Sequence, residues 1–164
     1  MPTIRPHSNM ALNADLIKVL PQNSTYGAVA SSDVGRLVFQ SSNVYGIMPG
    51  STGDVHVADT ASRIAGLVAS VPTATSAGST QTFYIRPIVP FAIYEADTTA
   101  AAATSDIGKY IGVSRTTTIA GGRNLTMTNA GNAPGTTNGL FFRITDIDST
   151  RRKVYGTFSS THLV

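Results

Sequence analysis

Arg36-Leu37-Val38-Phe39-Gln40 and Val44-Tyr45-Gly46-Ile47-Met48 are two short apolar runs, separated by Ser41-Ser42-Asn43 and closed by Pro49-Gly50. Runs of four to eight residues rich in β-branched and aromatic side chains, bounded by Gly, Pro, Asn and Ser, read as strands joined by turns. The same rhythm continues outward about every ten residues from Asp33 onward. Further strands are predicted at Asp54 to Ala58, Arg63 to Val71, Thr82 to Ile88 and Phe91 to Ala96. The second half adds Tyr110 to Val113, Thr117 to Ile119, Leu125 to Thr128, Leu140 to Asp146 and Val154 to Ser159. Thr98 to Ala103 is the one place where a brief helical turn competes, and 129–139, with Pro134-Gly135 inside it, is a loop by composition. The expected fold class is all-β, a short-stranded β-barrel or sandwich with an extended N-terminal arm.

The 164 residues suffice for a core without disulfides or metal. With no cysteine, thiolate metal sites and thiol nucleophiles are excluded. Charged residues make up 13% of the chain, about half the usual globular share of roughly 25%. Glu95 is the only glutamate, and Lys18, Lys109 and Lys153 are the only lysines. Ser, Thr, Ala and Gly take the place of long-stemmed residues. Such short side chains lose little entropy when covered, so the surface suits burial by neighbours. The net charge of +3 comes mainly from arginine, the cation preferred in protein interfaces. Only Arg151-Arg152-Lys153 is a basic cluster, and it reads as a solvated hairpin tip, so no specific nucleic-acid binding is expected. Asn13, Asp15 and Lys18 interrupt any signal-type run, and no apolar stretch approaches the roughly 20 residues of a membrane span. A soluble protein with no membrane partner is expected.

Residues 1–30 carry Pro2, Pro6 and Pro21 around one apolar piece. Leu12, Leu16, Ile17 and Leu20 fit a short helix or turn stopped by Pro21. This segment is read as an arm that either docks on a partner or folds back on its own domain. Arg5, Leu12, Leu16, Ile17 and Leu20 are its candidate partner-binding residues. The β-rich remainder, 31–164, divides into possible sub-modules 31–96 and 97–164. Their link is an echo: Ser32-Asp33-Val34-Gly35-Arg36-Leu37-Val38 and Ser105-Asp106-Ile107-Gly108-Lys109-Tyr110-Ile111 both read Ser-Asp-apolar-Gly-basic-apolar-apolar. A turn aspartate, a glycine tolerant of positive φ and entry into a strand account for the pattern. It is either a duplication or one turn solution used twice.

No catalytic constellation is visible. His7, His56 and His162 lie far apart, without metal-ligand spacing. Asp146 and Asp148 share one strand face at i, i+2, yet the Ser149-Thr150 turn that follows explains them more simply. Gly112-Val113-Ser114 lacks the closing glycine of a nucleophile elbow, and Ala120-Gly121-Gly122-Arg123-Asn124 lacks a phosphate-binding lysine and helix. The sequons Asn23-Ser24-Thr25 and Asn124-Leu125-Thr126 are discounted without a signal peptide. No enzyme activity, cofactor or metal is expected.

Pro90-Phe91-Ala92-Ile93-Tyr94-Glu95-Ala96-Asp97, Ser105-Asp106-Ile107-Gly108-Lys109 and Leu140-Phe141-Phe142-Arg143-Ile144-Thr145-Asp146 together resemble the strand, turn and strand pattern of tailed-bacteriophage capsid decoration or cement proteins. Ser62-Arg63-Ile64-Ala65-Gly66-Leu67-Val68 followed by Phe83-Tyr84-Ile85 is similar to their first module. The resemblance implies a homotrimer made in the host cytoplasm that sits on the virion exterior. There it would bind major capsid protein subunits and clamp them together. The alternative is a carbohydrate- or receptor-binding β module of a phage tail or fibre, which the absence of Trp disfavours.

Overall fold

The computed structural model describes residues 4–8, 14–21, 29–41, 44–47, 62–76, 79–98, 100–113, 125–134 and 140–163. Within them the chain is all-β, with two antiparallel sheets and three single 3-10 turns. The strands are β1 (Ile4–Pro6), β2 (Ile17–Val19), β3 (Leu37–Ser41), β4 (Val44–Ile47), β5 (Ser62–Ser70) and β6 (Phe83–Pro87). They continue with β7 (Tyr94–Asp97), β8 (Tyr110–Val113), β9 (Leu125–Gly131), β10 (Phe142–Asp148) and β11 (Lys153–Phe158). One sheet runs β2-β6-β5-β3-β4 and the other β1-β7-β11-β10-β8-β9. The strands expected at 54–58 and 117–119 lie outside the described residues.

The first thirty residues supply an edge strand to each sheet. Ile4 pairs with Ala96 and is buried, and Val19 pairs with Phe83 and is buried, so these stretches fold back on the domain. The helical reading of 12–20 gives way to a strand at Ile17–Val19. Tertiary pairing decides it, because β6 offers a free edge and three residues are too few to nucleate a helix. Removing residues 1–30 would therefore strip both sheets of an edge. The helical turn looked for at 98–103 falls instead at Thr104–Asp106.

Setting β1 aside, the two sheets trace one path: β2-β6-β5-β3-β4 corresponds strand for strand to β7-β11-β10-β8-β9. Register agrees as well. Leu37 opposite Leu67 and Val38 opposite Gly66 match Tyr110 opposite Arg143 and Ile111 opposite Phe142. Lys18 opposite Tyr84 matches Glu95 opposite Tyr155. A register shift falls at Val68/Ser70 in one sheet and at Ile144/Asp146 in the other. The repeating unit thus opens at β2, inside the N-terminal stretch, and β7 opens its second copy.

The echoed heptapeptides are the same turn. Asp33 Oδ2 accepts from Ala30 N at 2.8 Å, and Asp106 Oδ2 accepts from Ala103 N at 2.9 Å. Their other oxygens accept from Arg36 Nη1 and Lys109 Nζ, both at 2.8 Å. Gly35 and Gly108 follow at φ of 85° and 89°, where an L side chain is disfavoured. Each glycine then donates its N–H at 2.8 Å to the central strand, to Val68 O and Ile144 O respectively.

Between the sheets lies the main core, where Leu37, Phe39, Ile64 and Leu67 meet Tyr94, Ile111, Phe141, Phe142, Ile144 and Phe158. Phe158 is its centre, with edge contacts to Tyr94 at 5.1 Å and Phe142 at 5.3 Å. A second cluster of Val19, Val29, Val38, Val68, Phe83 and Ile85 fills the opposite side of the β2–β4 sheet. That sheet also curls: Leu20 O accepts from Tyr45 N at 3.1 Å, and Pro21 bridges Tyr45, drawing β2 toward β4.

The two turn aspartates are covered to similar degrees, with side chains 11% and 17% exposed, but the basic partner of Asp33, Arg36, is more covered than that of Asp106, Lys109. Asp33→Ala takes an acceptor from part-buried Ala30 N and Arg36 Nη1 and is expected to cost about 1–3 kcal/mol. Asp106→Ala loses mainly a cap, at about 1 kcal/mol. Urea unfolding of the two variants checks the order; equal losses would contradict it.

Candidate functional site

Two surfaces stand out, one charged and one apolar. Burial alternates along β7, so Glu95 and Asp97 lie on the face opposite buried Tyr94 and Ala96. Arg5 on β1 reaches Glu95 at 2.6 Å and Asp97 at 3.7 Å. Lys153 on β11 bonds Glu95 and stands 3.7 Å from Asp97. His7 packs on the Tyr155 ring at 4.8 Å, beside the same cluster. The network joins three adjacent strands and fastens β1 to its neighbours.

Partial burial works against ionisation of Glu95, but the Lys153 hydrogen bond and the charges of Arg5, Lys153 and His7 outweigh it, so its pKa is lowered. Burial and the nearby Glu95 and Asp148 carboxylates raise that of Tyr155. A lowered folded-state pKa means that the contribution of Glu95 is complete above the unfolded value and fades as pH falls through the folded one. Glu95→Gln should therefore cost stability at pH 6–8, with the gap to the parent closing in acid below the ordinary carboxylate range. Urea melts across that series measure it, and a gap that widens in acid would contradict the assignment.

The apolar surface belongs to the N-terminal stretch. Leu16, Ile17 and Leu20 are 46–47% exposed around β2. Ile17 also forms one wall of a cleft of about 180 Å³ between β2 and the β3–β4 hairpin, with Gln40 and Tyr45 opposite and Ile64, Ile85 and Leu163 further in. On the other side of β2, Lys18 stands 6.0 Å from the Tyr84 ring centre, over a polar cleft of about 370 Å³ shared with Thr73, Thr80, Gln81 and Thr82.

Among the described residues Phe91 is the most exposed of the large apolar side chains, at 82%, and has φ of 65°. It follows Pro90 in a turn closed by Ala92 N donating to Val89 O at 3.2 Å. Pro at the second position and positive φ at the third make this a type II turn, in which glycine is the usual third residue. Val89 N donates to the hydroxyl of buried Tyr94 at 2.9 Å, bolting the turn to the core. Relief of the left-handed strain, about 1–2 kcal/mol, exceeds the entropic cost of a glycine, about 0.5–1 kcal/mol. Phe91→Gly should thus raise stability slightly, read as an increase in Tm. A fall in Tm would show that the ring packs somewhere.

Of the residues expected to bind a partner, Leu16, Ile17 and Leu20 form the exposed row, whereas Arg5 is engaged in the ion network and Leu12 lies outside the described residues. Asp148 Oδ1 accepts from Arg151 N at 3.0 Å in the β10–β11 turn, as the turn reading expects, and Asp146 Oδ1 accepts from Ile147 N at 2.8 Å. Lys153 of the basic cluster belongs to the network. Among the described residues no group of three or more His, Asp or Glu is placed to hold a metal. No described helix is long and apolar enough to cross a membrane. The strained Phe91 was missed although its signal, Pro90 followed by a bulky residue in a short link between strands, stands in the sequence. No family model matches the chain, and neither the curated proteins nor the solved structures give a match.

Proposed function

We propose that this chain is a structural protein that binds the outer surface of a viral capsid and clamps neighbouring major capsid subunits, acting as a homotrimer on the virion exterior. The observation that carries the proposal is the exposed row of Leu16, Ile17 and Leu20, held on the edge of a sheet. The sparse charge of the chain and the exposed Phe91 support it. Each side chain of the row is about half covered already, so covering the rest contributes about 1 kcal/mol apiece. A sum so small holds a partner only when several copies engage together, which is what repeated attachment to a symmetric shell provides.

A second reading, a glycan-binding module of a phage tail or fibre, draws on the hydroxyl-lined cleft beside Lys18 and Tyr84. The test is co-sedimentation with empty capsids, alongside the solution mass by light scattering. The double variant Leu16→Ser, Leu20→Ser should lose roughly tenfold or more in attachment while its Tm stays near that of the parent. A monomer that ignores capsids and binds glycans would replace the first reading with the second.

A further inference from the structure

We infer that the outer edge of β2 is a strand-docking site, and that its occupant is an extended segment of a partner protein carrying a carboxylate residue opposite Lys18. The equivalence of the two units carries the inference. In the second unit the first strand, β7, has its outer edge filled: β1 lies antiparallel to it, with Arg5 opposite Glu95 and Ile4 buried against the core. In the first unit the corresponding strand is β2, the end strand of its sheet among the described residues. Lys18 takes the place of Glu95, and Tyr84 takes the place of Tyr155.

The two strands thus agree in register with their inner neighbours and are opposite in charge, while the β2 edge is joined to β4 at its Leu20–Pro21 end. At β7 a cation on the incoming strand meets a carboxylate, and at β2 the incoming strand must bring the carboxylate itself. Among the described residues no carboxylate lies within ion-pair distance of Lys18. The flanking Leu16, Ile17 and Leu20 are half exposed, so the segment is apolar on either side of its acid. Length is bounded too. Leu20 and Pro21 are joined to Tyr45, so β4 closes that end, and among the described residues Ile17–Val19 are the unpaired stretch, facing the cleft toward Gln40 and Tyr45 and as long as β1 at β7. Main-chain hydrogen bonds supply the affinity in such pairing, and the opposed charges select the partner.

The inference rests on reading the chain as a protein-binding one, but its test needs no capsid. A synthetic peptide of residues 1–8 carrying Arg5→Glu is titrated into the full chain and amide shifts are followed, with the unaltered peptide as its pair. The expected result is perturbation at Ile17, Lys18 and Val19 and a preference of about fivefold for the Glu peptide. With Lys18→Glu in the protein, the preference should invert. No shift at Ile17–Val19 up to millimolar peptide, or an unchanged preference in Lys18→Glu, overturns the inference. Because capsid attachment is read separately by co-sedimentation, either proposal can fail without the other.

Discussion

The carboxylate of a turn aspartate, used twice, is the contact on which the arrangement of strands depends. In each unit one oxygen of Asp33 or Asp106 holds the backbone three residues upstream, and the other holds the basic side chain three residues downstream. That grip sets up the glycine at positive φ, whose N–H locks on to the central strand. Strand β3 or β8 can then enter the sheet in only one register, and a one-residue slip would turn its buried side chains outward. In each sheet the hairpin partner lies on one side of that strand and the late strands on the other.

The units differ in what surrounds them, and the difference explains their faces. The described core residues of the six-stranded sheet all join one cluster, and the opposite face of β1, β7 and β11 carries Arg5, Glu95, Asp97 and Lys153 in mutual contact. The five-stranded sheet contributes side chains to two clusters, one on each side. Its central strands hold few charges, because burial would demand a partner for each. At Gly66 a Cβ would meet Arg86 O at 2.3 Å, and at Gly156 it would meet Arg143 O at 2.0 Å, so close strand packing forbids a side chain at both places.

What remains exposed is informative against that background. Leu16, Ile17 and Leu20 flank β2, the end strand of its sheet among the described residues, and Phe91 is held outward by a turn that a glycine would occupy with less strain. These are the features on which the proposed contact role rests.

By itself the sequence determined the all-β class, the strands at Leu37–Ser41, Val44–Ile47 and Tyr110–Val113, and the aspartate turns, because alternation and turn chemistry act over a few residues. It also marked Leu16, Ile17 and Leu20 as apolar residues among polar ones. Only the tertiary structure decided that Ile4–Pro6 and Ile17–Val19 are edge strands, since three residues beside prolines carry no periodic signal and take their form from the neighbour they meet. Likewise Arg5, Glu95, Asp97 and Lys153 are scattered along the chain and become one network only where β1, β7 and β11 lie side by side. The seven-residue echo hinted at a repeat, but register settled the equivalence of the units: a strand path and its bulges are fixed by pairing between distant segments, which spacing along the chain does not record.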